Sequence, residues 1–247
     1  MDRYGLIGHP LGHSFSLRFF NDKFVSEGID AEYCNYDIED LGRLPEIIAG
    51  TPSLKGLNVT IPYKQKVIPL LDDLSPEAKA VGAVNVIKVS RVGGKTILKG
   101  FNSDTIGFTS SIRPLLRPSH HHHALVLGTG GAAKAVKHSL DRLGLKTQYV
   151  SRSRKPGCIT YGDVTPAMVR EYKVVVNCTP LGMFPNVNEC PDLPYGDMDS
   201  NTLLYDLIYN PAETMFIRMG AKYGAAVKNG EDMLLLQAYA SWDFWNS

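Results

Sequence analysis

Ala124-Leu125-Val126-Leu127 runs straight into Gly128-Thr129-Gly130-Gly131-Ala132-Ala133, and this stretch decides the fold. An unbroken apolar run suits a strand buried on both faces, as in a parallel sheet. The glycines then turn the chain into a helix whose apolar residues recur at Ala135, Val136, Leu140 and Leu143, before Gly144 stops it. Strand, glycine turn and helix start converge backbone N–H groups on one point, where a pyrophosphate binds. Gly128 supplies the tight turn, Gly130 lets the backbone approach the phosphates, and Gly131 and Ala132 belong to the same cofactor-binding turn. Ala133 is small enough to keep helix and strand close. A lone Gly-x-Gly-x-x-Ala is also just a tight turn; its setting between a buried strand and a periodic helix makes it a dinucleotide site.

A second apolar run ends at Val150 and empties into Ser151-Arg152-Ser153-Arg154-Lys155. An NAD site carries Asp or Glu here to accept from the ribose 2′-OH. Arginines and hydroxyls suit a dianionic 2′-phosphate instead. The expected cofactor is therefore NADP, held at this end by Ser151, Arg152, Ser153 and Arg154.

The chain has 247 residues and a formal net charge of +1, so it can hold two domains with their own cores, and nothing in its charge points to nucleic acid or a membrane surface. Cys34, Cys158, Cys178 and Cys190 lie far apart with no C-x-x-C spacing, which argues against zinc or a disulfide framework. Cys34 and Cys178 fall in strand-like runs and read as core thiols. The N-terminus lacks the apolar run of a signal peptide, and no stretch approaches membrane-spanning length, so the expected location is cytoplasmic. His120 to His123 are adjacent on an irregular segment, where residues seldom converge on one ion, and read as a solvated connector; no metal site is expected.

The residues before the glycine motif are too many for a loop and should form a domain of their own. Strand-like runs (Tyr4 to Gly8, Glu32 to Asp37, Gly56 to Thr60) alternate with helical ones (Leu17 to Glu27, Leu41 to Ala49, Tyr63 to Leu71). Ala83 to Val89 and Thr96 to Phe101 flank Arg91-Val92-Gly93-Gly94, a hairpin signal. After the motif come strands at Tyr172 to Cys178, Leu203 to Leu207 and Ala225 to Lys228, and helices at Thr214 to Tyr223 and Met233 to Trp245. The expected fold class is α/β: two α/β domains, the first with a mainly parallel sheet and the second of Rossmann type.

Polar groups gather where such sheets expose their strand ends. Ser14 and Ser16 open the first helix, where hydroxyls and free N–H groups favour an anion, although serine there is also an ordinary cap. Gly56-Leu57-Asn58-Val59-Thr60-Ile61-Pro62-Tyr63-Lys64 delivers Thr60 and Lys64 from a strand end into an expected helix start. A cation there opposes the helix dipole, which favours a function over a plain surface lysine. Gly82-Ala83-Val84-Asn85 puts an amide on an apolar strand, and Asn102-Ser103-Asp104 brings a carboxylate to a helix start, where it also suits a cap. One lysine plus one carboxylate makes a workable acid/base pair for carbonyl reduction.

Taken in order, Ser14-x-Ser16, Asn58-Val59-Thr60-x-Pro62-x-Lys64, Gly82-Ala83-Val84-Asn85, Asn102-Ser103-Asp104 and the glycine turn resemble shikimate dehydrogenases. Tyr205-Asp206-Leu207-Ile208-Tyr209 and Gly230-x-x-Met233-Leu234-x-x-Gln237-Ala238 extend that likeness over nearly the whole chain. The resemblance implies reversible reduction of 3-dehydroshikimate to shikimate with NADPH. It implies Lys64 and Asp104 as the catalytic pair, with Ser14 and Ser16 on the substrate carboxylate. Thr60, Asn85, Tyr209 and Gln237 would surround the ring, Thr179 would lie near the cofactor, and Leu207, Gly230 and Met233 would frame the nicotinamide. It further implies a discontinuous substrate domain, residues 1–103 plus 231–247, around an NADP-binding domain at 104–230, acting as a monomer or homodimer on a small molecule.

The chain departs from the family pattern at Leu17, Phe20, Val86, Thr105, Ser151 and Leu236, which bears on fine selectivity, quinate included. The rival readings are a quinate/shikimate dehydrogenase using NAD(P), which Arg152 and Arg154 disfavour, and a non-catalytic NADP or metabolite sensor. A sensor has no need of both Lys64 and Asp104.

Overall fold

The computed structural model describes residues 1–12 and 14–247. The chain divides into two compact units, Met1–Ser103 with Ala238–Ser247, and Asp104–Gln237. The second division falls inside the last helix, between Gln237 and Ala238, rather than ahead of it at residue 231.

The first unit runs β1 (Asp2–Gly8), α1 (Phe15–Glu27), β2 (Ala31–Asp37), α2 (Leu44–Gly50), β3 (Leu54–Val59), β4 (Asp73–Leu74), α3 (Pro76–Val81), β5 (Val86–Val92) and β6 (Lys95–Phe101). Its sheet has the order β2-β1-β3-β5-β6-β4. The β1/β2, β1/β3 and β4/β6 pairings are parallel, β3/β5 is antiparallel, and the Gly93-Gly94 hairpin makes β5/β6 antiparallel. One face packs Ile7, Leu44, Ile48, Leu57 and Val67. The other packs Tyr4, Phe20, Phe24 and Tyr33 with Trp245 from the C-terminal segment.

Two expected elements take other forms. Tyr63 to Leu71 is a succession of turns ending in a short 3-10 stretch at Ile68–Leu70. Pro69 has no N–H to give Gln65, and its ring crowds that carbonyl, so a regular helix cannot propagate through this segment. The dipole argument for Lys64 therefore has no helix to act on. Asn85 lies just before β5 rather than on it.

The second unit runs α4 (Asp104–Ile112), β7 (His123–Leu127), α5 (Gly131–Arg142), β8 (Lys146–Ser151), β9 (Cys158–Thr160), α6 (Pro166–Glu171), β10 (Val174–Asn177), β11 (Leu203–Asp206), α7 (Met215–Lys222) and β12 (Ala226–Lys228), and ends on the first part of α8 (Glu231–Asn246). Its sheet is parallel throughout, in the order β12-β11-β10-β7-β8-β9. That is the doubly wound order, with its topological switch point between β7 and β10. The central strands β7, β10 and β11 are buried on both faces: Ala124 and Val126 pack with Val136, Leu140 and Tyr205, while Leu125 and Leu127 pack with Val169, Leu204 and Phe216.

The histidine run is not a solvated connector at His121. This ring is buried, with Nδ1 accepting from Arg117 N–H and Nε2 facing the Asn201 carbonyl, both at 2.9 Å. It pins the approach to β7 against the segment before β11. Nor is Cys34 a core thiol; it lies half-buried on β2, and its S–H faces Glu32. Among the described residues no helix is long and apolar enough to cross a membrane.

Candidate active site

In the second unit the glycine turn leaves β7 at the switch point, where open α/β sheets bind ligands. Gly128 has φ 105°, a left-handed conformation that favours glycine, and donates its N–H to the Val150 carbonyl at 2.8 Å. Gly130 is the N-cap of α5, and no side chain from it caps the first-turn N–H groups. A Cβ built on Gly130 would meet nothing within 4 Å. The helix start therefore presents N–H donors and a partial positive charge to open space, the setting a pyrophosphate needs.

The adjacent end of β8 carries exposed Arg152, Ser153 and Arg154, and no carboxylate stands in that run. Arg154 lies 3.6 Å from Asp163, so part of its charge is already answered. Ser151 is buried, and its Oγ accepts the Ser153 N–H at 3.4 Å, which shapes the loop from within. Lys155, outside the expected set, donates to Thr129 Oγ1 at 3.3 Å and so ties this basic run to the glycine turn. These residues fit NADP better than NAD.

The loops after β10, β11 and β12 lie at the same end of the parallel sheet. Thr179 donates its hydroxyl to Asn177 Oδ1 at 2.6 Å. Gly230 donates to the Ile208 carbonyl at 3.0 Å, and a Cβ there would fall 2.1 Å from the Leu207 carbonyl oxygen. Only glycine permits that approach, so Leu207 and Gly230 are locked together. Met233 is buried in the core beneath. Tyr209 is 39% exposed. Gln237 spends one amide N–H on the Leu234 carbonyl of its own helix at 2.9 Å. Asp104 is the first residue of α4 and is 5% exposed.

In the first unit, Ser14 is the N-cap of α1, its Oγ accepting the Leu17 N–H at 3.2 Å. Cap and anion anchor are compatible, because an accepting hydroxyl keeps its own proton to donate. Ser16 lies beside the buried Tyr33 phenol. Thr60 directly follows β3 and donates its N–H to the Ile7 carbonyl at 2.9 Å. Lys64 is half-buried in the following turns, with its carbonyl fixed by the Val84 N–H at 2.7 Å.

Beneath them runs a buried polar line. Tyr33 donates to Asn58 Oδ1 at 2.8 Å, and Asn58 Nδ2 donates to Ser241 Oγ at 3.0 Å. Ser241 meets Ser103 Oγ at 3.0 Å, and Ser103 is held by both ends of the Asn85 amide, at 2.9 and 2.6 Å. The Ser103 N–H can only be met by oxygen, so the Asn85 amide has one allowed orientation.

The model of the shikimate dehydrogenase substrate-binding domain matches residues 6–87. A Methanococcus maripaludis protein named shikimate dehydrogenase (NADP(+)) is 34% identical across 98% of this chain and 90% of its own length. One of the same name from Syntrophomonas wolfei is 38% identical across 94% of this chain and 85% of its own. The crystal structure of shikimate 5-dehydrogenase from Thermus thermophilus, in complex with NADP(H) and shikimate, has a TM-score of 0.84 at 30% identity and covers 99% of this chain and 93% of that one. The chain belongs to the shikimate dehydrogenase family.

Several residues that support the candidate site have no role assigned from the sequence. Asn58, Ser103, Asn177 and Asp206 each carried a signal, a polar group inside or beside an otherwise apolar strand. Lys155 stood in the basic run itself. Ser241 carried none, because a lone serine on an apolar helix has many explanations. Among the described residues no cluster of metal-ligating side chains occurs.

Proposed function

We propose that this chain reduces 3-dehydroshikimate to shikimate with NADPH, reversibly. The observation that carries this reading is near-full-length kinship to chains named for that activity, together with the carboxylate-free, arginine-bearing end of β8. In this reading the first unit binds substrate, and the second binds NADP through Gly128, Gly130, Gly131, Ala132, Arg152, Ser153 and Arg154.

When bound, NADPH supplies a hydride to the ring carbonyl carbon. The protein's task is then to hold the ring and manage the proton and charge at the carbonyl oxygen. Lys64 provides the cation that stabilises the oxygen as it becomes an alkoxide. Asp104 orients the neighbouring hydroxyl or shares the proton. Ser14 and Ser16 hold the carboxylate, and Asn85, in its single orientation, keeps a fixed polar edge toward the ring. Thr60, Tyr209 and Gln237 are the further residues assigned to the ring and its hydroxyls.

The test is NADPH absorbance during incubation of the purified protein with shikimate and NADP, with quinate and NAD in parallel. NADP-dependent oxidation of shikimate alone supports the proposal. Comparable activity with quinate or NAD moves the chain to the quinate/shikimate class, and no turnover with any pair removes the enzymatic reading.

A further inference from the structure

Asp206, at the end of β11, is fully buried, and none of the contacts proposed above uses it. Its Oδ1 accepts from Asn177 Nδ2 at 3.0 Å and from the Ile208 N–H at 3.1 Å; its Oδ2 accepts the Thr214 hydroxyl at 2.6 Å. Thr214 in turn caps α7 by accepting the Ile217 N–H at 3.3 Å. One carboxylate thus ties β10, the loop after β11 and the start of α7.

Asn177 has two lone pairs and two N–H bonds to offer, and all are used. Oδ1 accepts the Thr179 N–H at 3.0 Å and the Thr179 hydroxyl at 2.6 Å, while Nδ2 donates to Asp206 and to the Leu181 carbonyl at 3.4 Å. A flipped amide would point donors at donors, so its orientation is settled. Thr179 has given away its only hydroxyl proton, and its oxygen accepts the Leu181 N–H at 3.3 Å. Its methyl lies 3.3 Å from where a Cβ on Gly128 would stand. Thr179 is thus a brace between the glycine turn and the loop after β10, with no hydroxyl proton left for a ligand. Leu207 donates its N–H to the Asn177 carbonyl at 3.0 Å, so both loops hang from the same residue.

We propose that Asp206, acting through Asn177, is a positioning residue of the reaction. It holds the Thr179–Leu181 and Leu207–Ile208 segments where they wall the nicotinamide half of NADP, without itself touching the cofactor. This rests on the NADP reading above. It separates the two halves of the cofactor: the adenosine half is held by the β8 end, the nicotinamide half by loops that depend on Asp206.

The experiment compares Asp206→Ala, Asp206→Asn and native protein by calorimetric binding of NADP and of 2′,5′-ADP, which lacks the nicotinamide, and by steady-state kinetics. Displacements on the order of an ångström far from the chemistry cost up to about a hundredfold, so Asp206→Ala should weaken NADP binding and raise its KM about tenfold or more. Binding of 2′,5′-ADP and the KM for shikimate should stay within about twofold of native. Asp206→Asn keeps the acceptor for Asn177 and Ile208 and should restore most of the loss. If Asp206→Ala does not fold, Asn177→Ala should show the same split. Equal weakening of NADP and 2′,5′-ADP, or of neither, overturns the proposal. Failure of the native protein to bind 2′,5′-ADP removes the NADP reading and this proposal with it.

Discussion

Lys64 and Arg152 answer different questions, and substitution separates them. Lys64 is half-buried in turns, and the Val84 N–H holds its backbone carbonyl, a contact that truncating the side chain does not remove. Lys64→Ala should lower kcat by about a hundredfold or more, the scale of a lost proton-transfer or oxyanion-stabilising group, with NADPH affinity unchanged. Near-native turnover would exclude the lysine from the chemistry. Arg152 is exposed at the β8 end and belongs to the cofactor instead. Charge-assisted hydrogen bonds contribute about 1.5–3 kcal/mol, so Arg152→Ala should weaken NADP about tenfold or more and NAD hardly at all. An unchanged NADP-to-NAD preference would rule out the phosphate clamp.

Elements show why some of the site could be read from sequence and some could not. The glycine turn, β7 and α5 were legible because one local stretch contains strand, turn and helix, and their spacing has one chemical use. Lys64 stood out for a mistaken local reason: its motif sits in turns, because Pro69 blocks the helix that periodicity suggests. The buried lines Tyr33–Asn58–Ser241–Ser103–Asn85 and Thr179–Asn177–Asp206–Thr214 stayed hidden because each joins separate strands, and only register reveals which polar groups meet. The second line has a measurable pH signature. Burial pushes the Asp206 carboxyl from 3.8 to about 6, against the hydrogen bonds from Thr214, Ile208 and Asn177 that lower it. The folded state therefore binds this proton more tightly than the unfolded chain, a stabilising contribution full below about pH 4 and lost as pH rises through about 6. Native protein should lose about 2 kcal/mol relative to Asp206→Asn between about pH 4.5 and about pH 7.5. Urea midpoints of both proteins across that range check the sign, and a constant difference would mean the carboxyl is not protonated in the fold.

On the scale of the whole chain, the last ten residues matter most, because Ala238–Ser247 returns to the unit that Met1–Ser103 begins. Trp245 is the anchor: its ring lies within 4.9 Å of Tyr4 and 5.1 Å of Phe20, centroid to centroid, and Nε1 donates to the Ile87 carbonyl at 3.1 Å. A Cβ on Gly56 would fall 2.2 Å from that indole, so strand and ring are fitted to each other. The β-strands of the first unit thus depend on a segment that follows the whole of the second unit in the sequence. Truncating a buried tryptophan costs about 3–5 kcal/mol, and Trp245→Ala should fall in that range. Both tryptophans, Trp242 and Trp245, lie in this segment, so the remaining indole of the variant reports the first unit alone. Its fluorescence should change at lower urea than in native protein, while far-UV circular dichroism, which sees both units, keeps a later phase from the second. Coincident fluorescence and dichroism transitions at the native midpoint would show that the returning segment does not hold the first unit's core together.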